Sequence, residues 1–166
     1  FSPFPDRSLT VIGVRAETSV AGVSVESVDG GRQIEVSAGE KAATGTTTVF
    51  YTIEDITGDP SRQAVGKVQV TVQDVPDAPS SPPVIVQERP TDPSVELSVN
   101  GANANASPIT KYEYRINGDD KTIGACTGGA QSCVVKGLEY ATDYTFQMRA
   151  INGVGAGEWS GSSSRV

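Results

Sequence analysis

The stretch Val134-Val135-Lys136-Gly137-Leu138-Glu139-Tyr140-Ala141-Thr142-Asp143-Tyr144-Thr145-Phe146-Gln147-Met148-Arg149-Ala150-Ile151-Asn152-Gly153-Val154-Gly155-Ala156-Gly157-Glu158-Trp159-Ser160-Gly161-Ser162-Ser163 decides the architecture. Within it, Tyr144, Phe146, Met148 and Ala150 alternate with Thr145, Gln147, Arg149 and Ile151. A period of two puts one set on each side of an extended chain, the pattern of a half-buried strand. The glycines from Gly153 to Gly157 then read as a hairpin turn. Their spacing is wrong for a dinucleotide loop, and no helix pattern follows to receive a phosphate.

Working outward, the same period recurs on both sides. Tyr112, Tyr114 and Ile116 alternate with Glu113, Arg115 and Asn117. Val49, Tyr51 and Ile53 alternate with Phe50, Thr52 and Glu54, and Val68, Val70 and Val72 with Lys67, Gln69 and Thr71. Each apolar set is expected to face inward. Turn signals at Asp29-Gly30-Gly31, Gly58-Asp59-Pro60, Asn100-Gly101 and Asn117-Gly118 separate these runs,. Helix periodicity is sustained nowhere. The fold class is therefore all-β, built as two tandem immunoglobulin-like or fibronectin type III-like sandwiches. The joint is the proline-rich run Gln73-Asp74-Val75-Pro76-Asp77-Ala78-Pro79-Ser80-Ser81-Pro82-Pro83. Prolines at that density exclude a helix or a central strand. The expected division is a sandwich over 1–76, a semi-rigid connector over 77–83 and a second sandwich over 84–166.

The pattern Leu138, Tyr144, Phe146, Met148, Ala150, Asn152, Gly155 and Gly157 resembles the second half of a fibronectin type III domain. Pro82-Pro83, Val95, Leu97 and Pro108-Ile109-Thr110 fit its opening strands, so the resemblance covers about residues 78–166. It implies that Tyr144 is a tyrosine-corner residue whose hydroxyl bonds backbone near Leu138. One departure is the lack of a tryptophan late in the second strand, where Val99 and Asn100 follow Leu97. The first half resembles the end of bacterial immunoglobulin-like and cadherin-like repeats. About 70 residues is short for seven strands, so this domain is read as beginning with a strand missing.

Cys126 and Cys133 bracket a turn-rich hexapeptide. The layout resembles exported fibronectin type III modules of actinobacterial surface proteins, which implies a disulfide and an oxidising compartment. The competing reading is two free thiols in a reducing one. Trp159, Ser160, Ser162 and Ser163 resemble the Trp-Ser-x-Trp-Ser box of class I cytokine receptors, with Ser162 in place of the second tryptophan. That likeness implies stacking of Arg149 or Arg115 on Trp159. The plainer reading is an ordinary fibronectin module ending. Surface proteins of bifidobacteria carry such receptor-like modules, and the resemblance implies a host protein partner, with tumour necrosis factor-class cytokines as one version.

Composition sets the exclusions. The chain has 166 residues, no histidine and two cysteines. There is thus no His-dependent catalytic pair, no imidazole metal site and no four-thiolate zinc site. Net charge is −7, which disfavours nucleic acid and anionic membranes,. No apolar run approaches the roughly 18–20 residues of a membrane span. The first residues carry no initiator methionine, so the chain is expected to be part of something longer. Glu54, Asp55, Asp74 and Asp77 are calcium candidates, although calcium takes six to eight oxygens and a solvated acidic linker is the favoured alternative. Asn103, Asn105, Asp119, Asp120, Lys121 and Arg149 are candidate ligand contacts on loops or on an outward sheet face. The resulting expectation is a monomeric, non-catalytic, extracellular adhesion or ligand-binding segment without a cofactor. Passive spacer modules of a larger secreted protein are the alternative.

Overall fold

Eleven β-strands and two short 3-10 turns make up the regular structure of the described residues, 9–89, 93–126 and 131–166 of the computed structural model. They fall into two compact units, Phe1–Val72 and Gln73–Val166. No helix among the described residues is long and apolar enough to cross a membrane.

The first unit contains β1 (Thr10–Ala16), β2 (Val23–Val28), β3 (Gln33–Ala38), β4 (Gly45–Glu54) and β5 (Ala64–Val72). β4 lies between β1 and β5, antiparallel to both, and β2 and β3 form a separate hairpin. Its turn is Asp29-Gly30-Gly31, where all three residues take positive φ. The alternation in β4 puts Val49 and Thr47 inside, 0% and 4% exposed. Val68 departs from the expected inward set. It pairs with Val49 on the same sheet face, yet it is 44% exposed. The β-branched pattern sets the face correctly, but no described element of this unit covers that part of it.

The second unit contains β6 (Val84–Arg89), β7 (Ser94–Ser98), β8 (Lys111–Ile116), β9 (Asp119–Ala125), β10 (Ser132–Lys136) and β11 (Phe146–Ile151). One sheet has the order β10–β7–β6 and the other β11–β8–β9. Alternate residues of both sheets meet in one core: Val95, Leu97 and Val99, Val135, Tyr112, and Phe146, Met148 and Ala150, with both cysteines. Fully burying a side chain such as Leu97 or Phe146 contributes about 1.5–3 kcal/mol,. Leu97 and Val99, at the end of the strand that lacks a tryptophan, are both buried, 0% and 3% exposed. The Asn117-Gly118 turn, with φ of 50° and 72°, has the two positive values of a type I′ hairpin,.

Beyond β11 the chain folds back on it with an unusual count. The amides of Gly157, Ser160, Ser163 and Val166 donate to the carbonyls of Ala150, Met148, Phe146 and Tyr144. Three residues on the terminal segment thus match two on β11. A period of three is that of a polyproline II conformation, not of a pleated strand.

Candidate functional site

The period of three explains the serines. A pleated partner would offer carbonyls to the amides of Phe146 and Met148. Here the Ser163 and Ser160 hydroxyls accept those bonds instead, each at 3.0 Å. Both serines are buried, at 8% and 3% exposure. Trp159 then points to the outward side of the β8–β11 sheet. The Arg149 guanidinium lies 4.3 Å and the Arg115 guanidinium 4.6 Å from its ring centroid. Both cations are fixed from behind. Arg149 donates twice to Glu113 Oε2, at 2.8 and 3.1 Å. Arg115 donates to Gln147 at 2.9 Å and to Asp120 at 2.6 Å. Gln147 in turn donates to the Ser160 carbonyl at 2.7 Å. Burial opposes ionisation of Glu113, but the bonds from Arg149 and Lys111 outweigh it and hold the carboxyl below its ordinary range. The ladder staples the terminal segment to the sheet. Ser162 is exposed and adds nothing to it.

Asn103 and Asn105 hold the chain's own backbone and side chains. Asn103 Nδ2 and Asn105 Nδ2 donate to the two carboxylate oxygens of Asp77, at 3.2 and 2.9 Å. Asn105 Nδ2 also reaches the Val75 carbonyl at 2.7 Å. The Asp74 and Asp77 amides donate to the carbonyls of Asn105 and Asn103. Asn152, 5% exposed, completes the arrangement. Its Nδ2 donates to the carbonyls of Asp74 (2.7 Å) and Ala104 (3.1 Å). Its Oδ1 accepts from the amides of Val154 (2.9 Å) and Gly155 (3.1 Å). Pro76 is fully buried. Gly157 must be glycine because a Cβ there would sit 2.2 Å from the Pro76 carbonyl oxygen. Residues 73–77 are therefore a strap built into the second unit, and the connector expected over 77–83 starts from a residue already bonded there. Proline density identifies the joint but not which side owns it.

Cys126 and Cys133 are joined in a disulfide. Residues 127–130 of the bracketed hexapeptide lie outside the described residues. The loop is short, with a sequence separation of 7, so the link contributes about 2–3 kcal/mol by chain entropy,. Titrating unreduced protein with a thiol reagent is expected to find no free thiol. Two equivalents per chain would contradict the pairing. Tyr144 Oη accepts a bond from the Glu139 amide at 2.9 Å, next to Leu138. This is the geometry of a tyrosine corner.

The four calcium candidates are otherwise engaged. Asp55, 8% exposed, is ion-paired with Arg62 and accepts from the Thr57 amide and hydroxyl. Glu54 accepts from Gln63 at 3.2 Å, Asp74 from the Val75 amide at 2.7 Å, and Asp77 from the two asparagines. No metal-binding cluster of three or more such side chains occurs among the described residues. The Arg62 bond, then those from Thr57, lower the Asp55 pKa from 3.8 to about 2. A carboxyl depressed on folding stabilises the folded state above its unfolded pKa, and that contribution is lost as pH falls towards its folded pKa. The first unit is thus expected to lose stability between about pH 4 and pH 2 through this group. Asp55→Asn is expected to flatten that acid limb when melting is followed by β4 amide signals. An unchanged slope would contradict the assignment.

At the β8–β9 tip, the Asp119 carboxylate accepts from the Lys121 amide at 2.9 Å, and Asp120 remains largely exposed while paired to Arg115. One feature was not legible as a site in sequence. Val84 and Val86 on edge strand β6 and Val134 on β10 are 64%, 61% and 40% exposed, each in a continuous apolar run, Val84-Ile85-Val86 or Val134-Val135. The nearest sequence signal was that Val134 and Val135 are adjacent, so one of them must face out.

A fibronectin type III domain model matches residues 77–166. The chain belongs to the fibronectin type III family. The match spans the fibronectin module from Asp77, the strap residue held by Asn103 and Asn105, to Val166. A crystal structure of domains A168–A170 from titin resembles the whole chain, with a TM-score of 0.57 and 19% sequence identity. The likeness covers 98% of this chain and 54% of that one, so this chain spans about half its length. At that identity it shows the fold alone, a tandem of β-sandwiches. A comparison with curated proteins found no match. Fibronectin type III modules are commonly structural or binding units.

Proposed function

We propose that the chain is a non-catalytic, ligand-binding segment of an exported surface protein that works by protein–protein contact. The observation that carries this reading is edge strand β6 of the β6–β7–β10 sheet, where Val84 and Val86 are left in water, 64% and 61% exposed. Covering apolar surface contributes about 25 cal/mol per Å², and an apolar strand at an open sheet edge favours a partner. Glu113, Arg115, Arg149 and Asp77, by contrast, are engaged within the fold. The net charge of −7 favours a protein partner over nucleic acid or anionic lipid,. The disulfide supports an oxidising, extracellular setting,. Among partners, a host protein, with a tumour necrosis factor-class cytokine as the specific version, is favoured by the resemblance to bifidobacterial surface modules.

The test is a binding titration of this chain against a host protein panel that includes such a cytokine. The expected result is saturable binding at micromolar concentration or tighter. Val84→Asp combined with Val86→Asp is expected to weaken it at least tenfold with an unchanged melting temperature. No saturable binding to any member, or an unchanged affinity in the double variant, would remove the reading. The spacer reading is then preferred.

A further inference from the structure

Three of the five asparagines are followed by glycine: Asn100-Gly101, Asn117-Gly118 and Asn152-Gly153. That dipeptide is chemically reactive. Glycine has no Cβ to crowd its amide, so the nitrogen can close on the asparagine side-chain carbon. The fold treats the three pairs differently. Asn152 is 5% exposed, and its carboxamide is clamped by four hydrogen bonds. Asn117 is exposed, but its Oδ1 accepts from the Thr145 amide at 2.8 Å and the Thr145 hydroxyl at 3.3 Å. Its glycine is required by the turn, with Gly118 at a φ of 72°,. Asn100 lies beyond the end of β7, in a stretch without regular structure, and both it and Gly101 are exposed. The one bond its side chain makes among the described residues runs from Nδ2 to the Ser81 hydroxyl at 3.0 Å. The Gly101 amide donates to no backbone carbonyl among the described residues. Nor does the backbone demand glycine there. Gly101 is not among the positive-φ residues, and the atom nearest to an added Cβ is the movable end of the Gln131 side chain, 2.8 Å away.

We propose that Asn100 is a self-modification site, which deamidates through a succinimide while the fold holds Asn117 and Asn152 unreactive. The Gly101 amide nitrogen bonds to Asn100 Cγ, the Cγ–Nδ2 bond breaks, and the amide proton leaves with the amine as ammonia. Water then opens the ring. Added at Cγ, it restores the main chain and leaves aspartate. Added at the Asn100 backbone carbonyl, it leaves isoaspartate, with the main chain running through Cγ. The reacting atoms must approach to about 3–3.5 Å with their orbitals aligned. Asn100 is free to reach that geometry by giving up one exposed bond. Asn117 must first leave Thr145, and Asn152 must leave the strap and its turn together. Both products add a negative charge, but only isoaspartate adds a carbon to the main chain. That carbon enters just ahead of Asn103, whose carbonyl and side chain hold Asp77. On the other side the chain is fixed by the Val99 amide, bonded to the Gln131 carbonyl at 2.8 Å. The added length therefore falls on the Asn103 side, and the modification loosens the Asp77 end of the strap as the protein ages.

The test holds the whole chain in mildly alkaline buffer and follows each asparagine by peptide mass mapping, with fragmentation that separates isoaspartate from aspartate. In the folded protein, Asn100 is expected to convert about tenfold or more faster than Asn117 and Asn152. In urea the three rates are expected to come within about threefold of each other, because the shared dipeptide then sets them. Gly101→Ala is expected to slow conversion at Asn100 about tenfold, with an unchanged melting temperature, because its Cβ hinders the attack. Equal rates at the three sites in the folded protein would overturn the proposal. So would an Asn100 that reacts in urea and stays intact in the folded protein. Hydrogen exchange on the separated products tests the consequence. The isoaspartyl form is expected to exchange its Asp77 amide about tenfold faster than fresh protein, and Asn100→Asp to match fresh protein within about threefold. Unchanged exchange in the isoaspartyl form, or equally fast exchange in Asn100→Asp, would refute the link to the strap.

Discussion

Asn152→Ala is expected to destabilise the second unit by about 3–4 kcal/mol, the largest effect of any single polar substitution in it. The side chain is buried and makes four hydrogen bonds to three separate pieces of backbone. Alanine removes all four and leaves the Asp74 and Ala104 carbonyls and the Val154 and Gly155 amides without that partner. Each net bond is worth about 0.5–1.5 kcal/mol, and a buried group left unpaired costs about 1–3 kcal/mol. Asn152→Asp separates the two halves of the role. It keeps the acceptor for the turn amides but sets a carboxylate against the Asp74 and Ala104 carbonyls. Asn152→Asp is therefore also expected to destabilise, through the strap. Urea unfolding followed by the emission of Trp159, the one tryptophan, measures both,. A loss below about 1 kcal/mol would mean that the strap is not held by this residue.

Trp159→Ala is expected to cost about 2–3 kcal/mol, from lost ring burial and two cation–π contacts,. The ring is half-buried, so the loss falls short of the roughly 3–5 kcal/mol of a core tryptophan,. Arg115 and Arg149 keep their carboxylate partners without it, so the sheet survives and the terminal segment frays. Circular dichroism melts give the stability. Exchange at the Ser160 and Ser163 amides, bonded to Met148 and Phe146, gives the location. A destabilised variant with those two amides still protected would contradict the staple.

The fold was legible where the pattern was strong and the partner was local. The alternation at Tyr144–Ala150 and Tyr112–Ile116 predicts strands that pair directly in the structure, Met148 opposite Tyr114 and Ala150 opposite Tyr112. Asn117-Gly118 predicts the hairpin it makes. Val68 was misread as covered because a period of two assigns a face but cannot say what lies over it. The candidate contacts were harder still. Asn103, Asn105 and Asp77 carry the polarity expected of a binding loop, and only the folded chain shows that they bind each other across 26 and 28 positions of sequence. Asn152 drew notice as part of a family pattern, with no sign of the distant carbonyl of Asp74 it would reach. Residue type announces hydrogen-bonding capacity; long-range geometry decides who uses it.

Residues 73–77, part of a joint by their sequence, are a fastened strap of the fibronectin module. Native-state hydrogen exchange at the Asp74 and Asp77 amides tests it most directly, since each donates to a carbonyl of the Asn103–Asn105 loop,. The account predicts protection within about tenfold of the Met148 amide in the core strand, falling together at both sites in Asn152→Ala. Exchange of Asp74 and Asp77 at the rate of an unstructured peptide would contradict it.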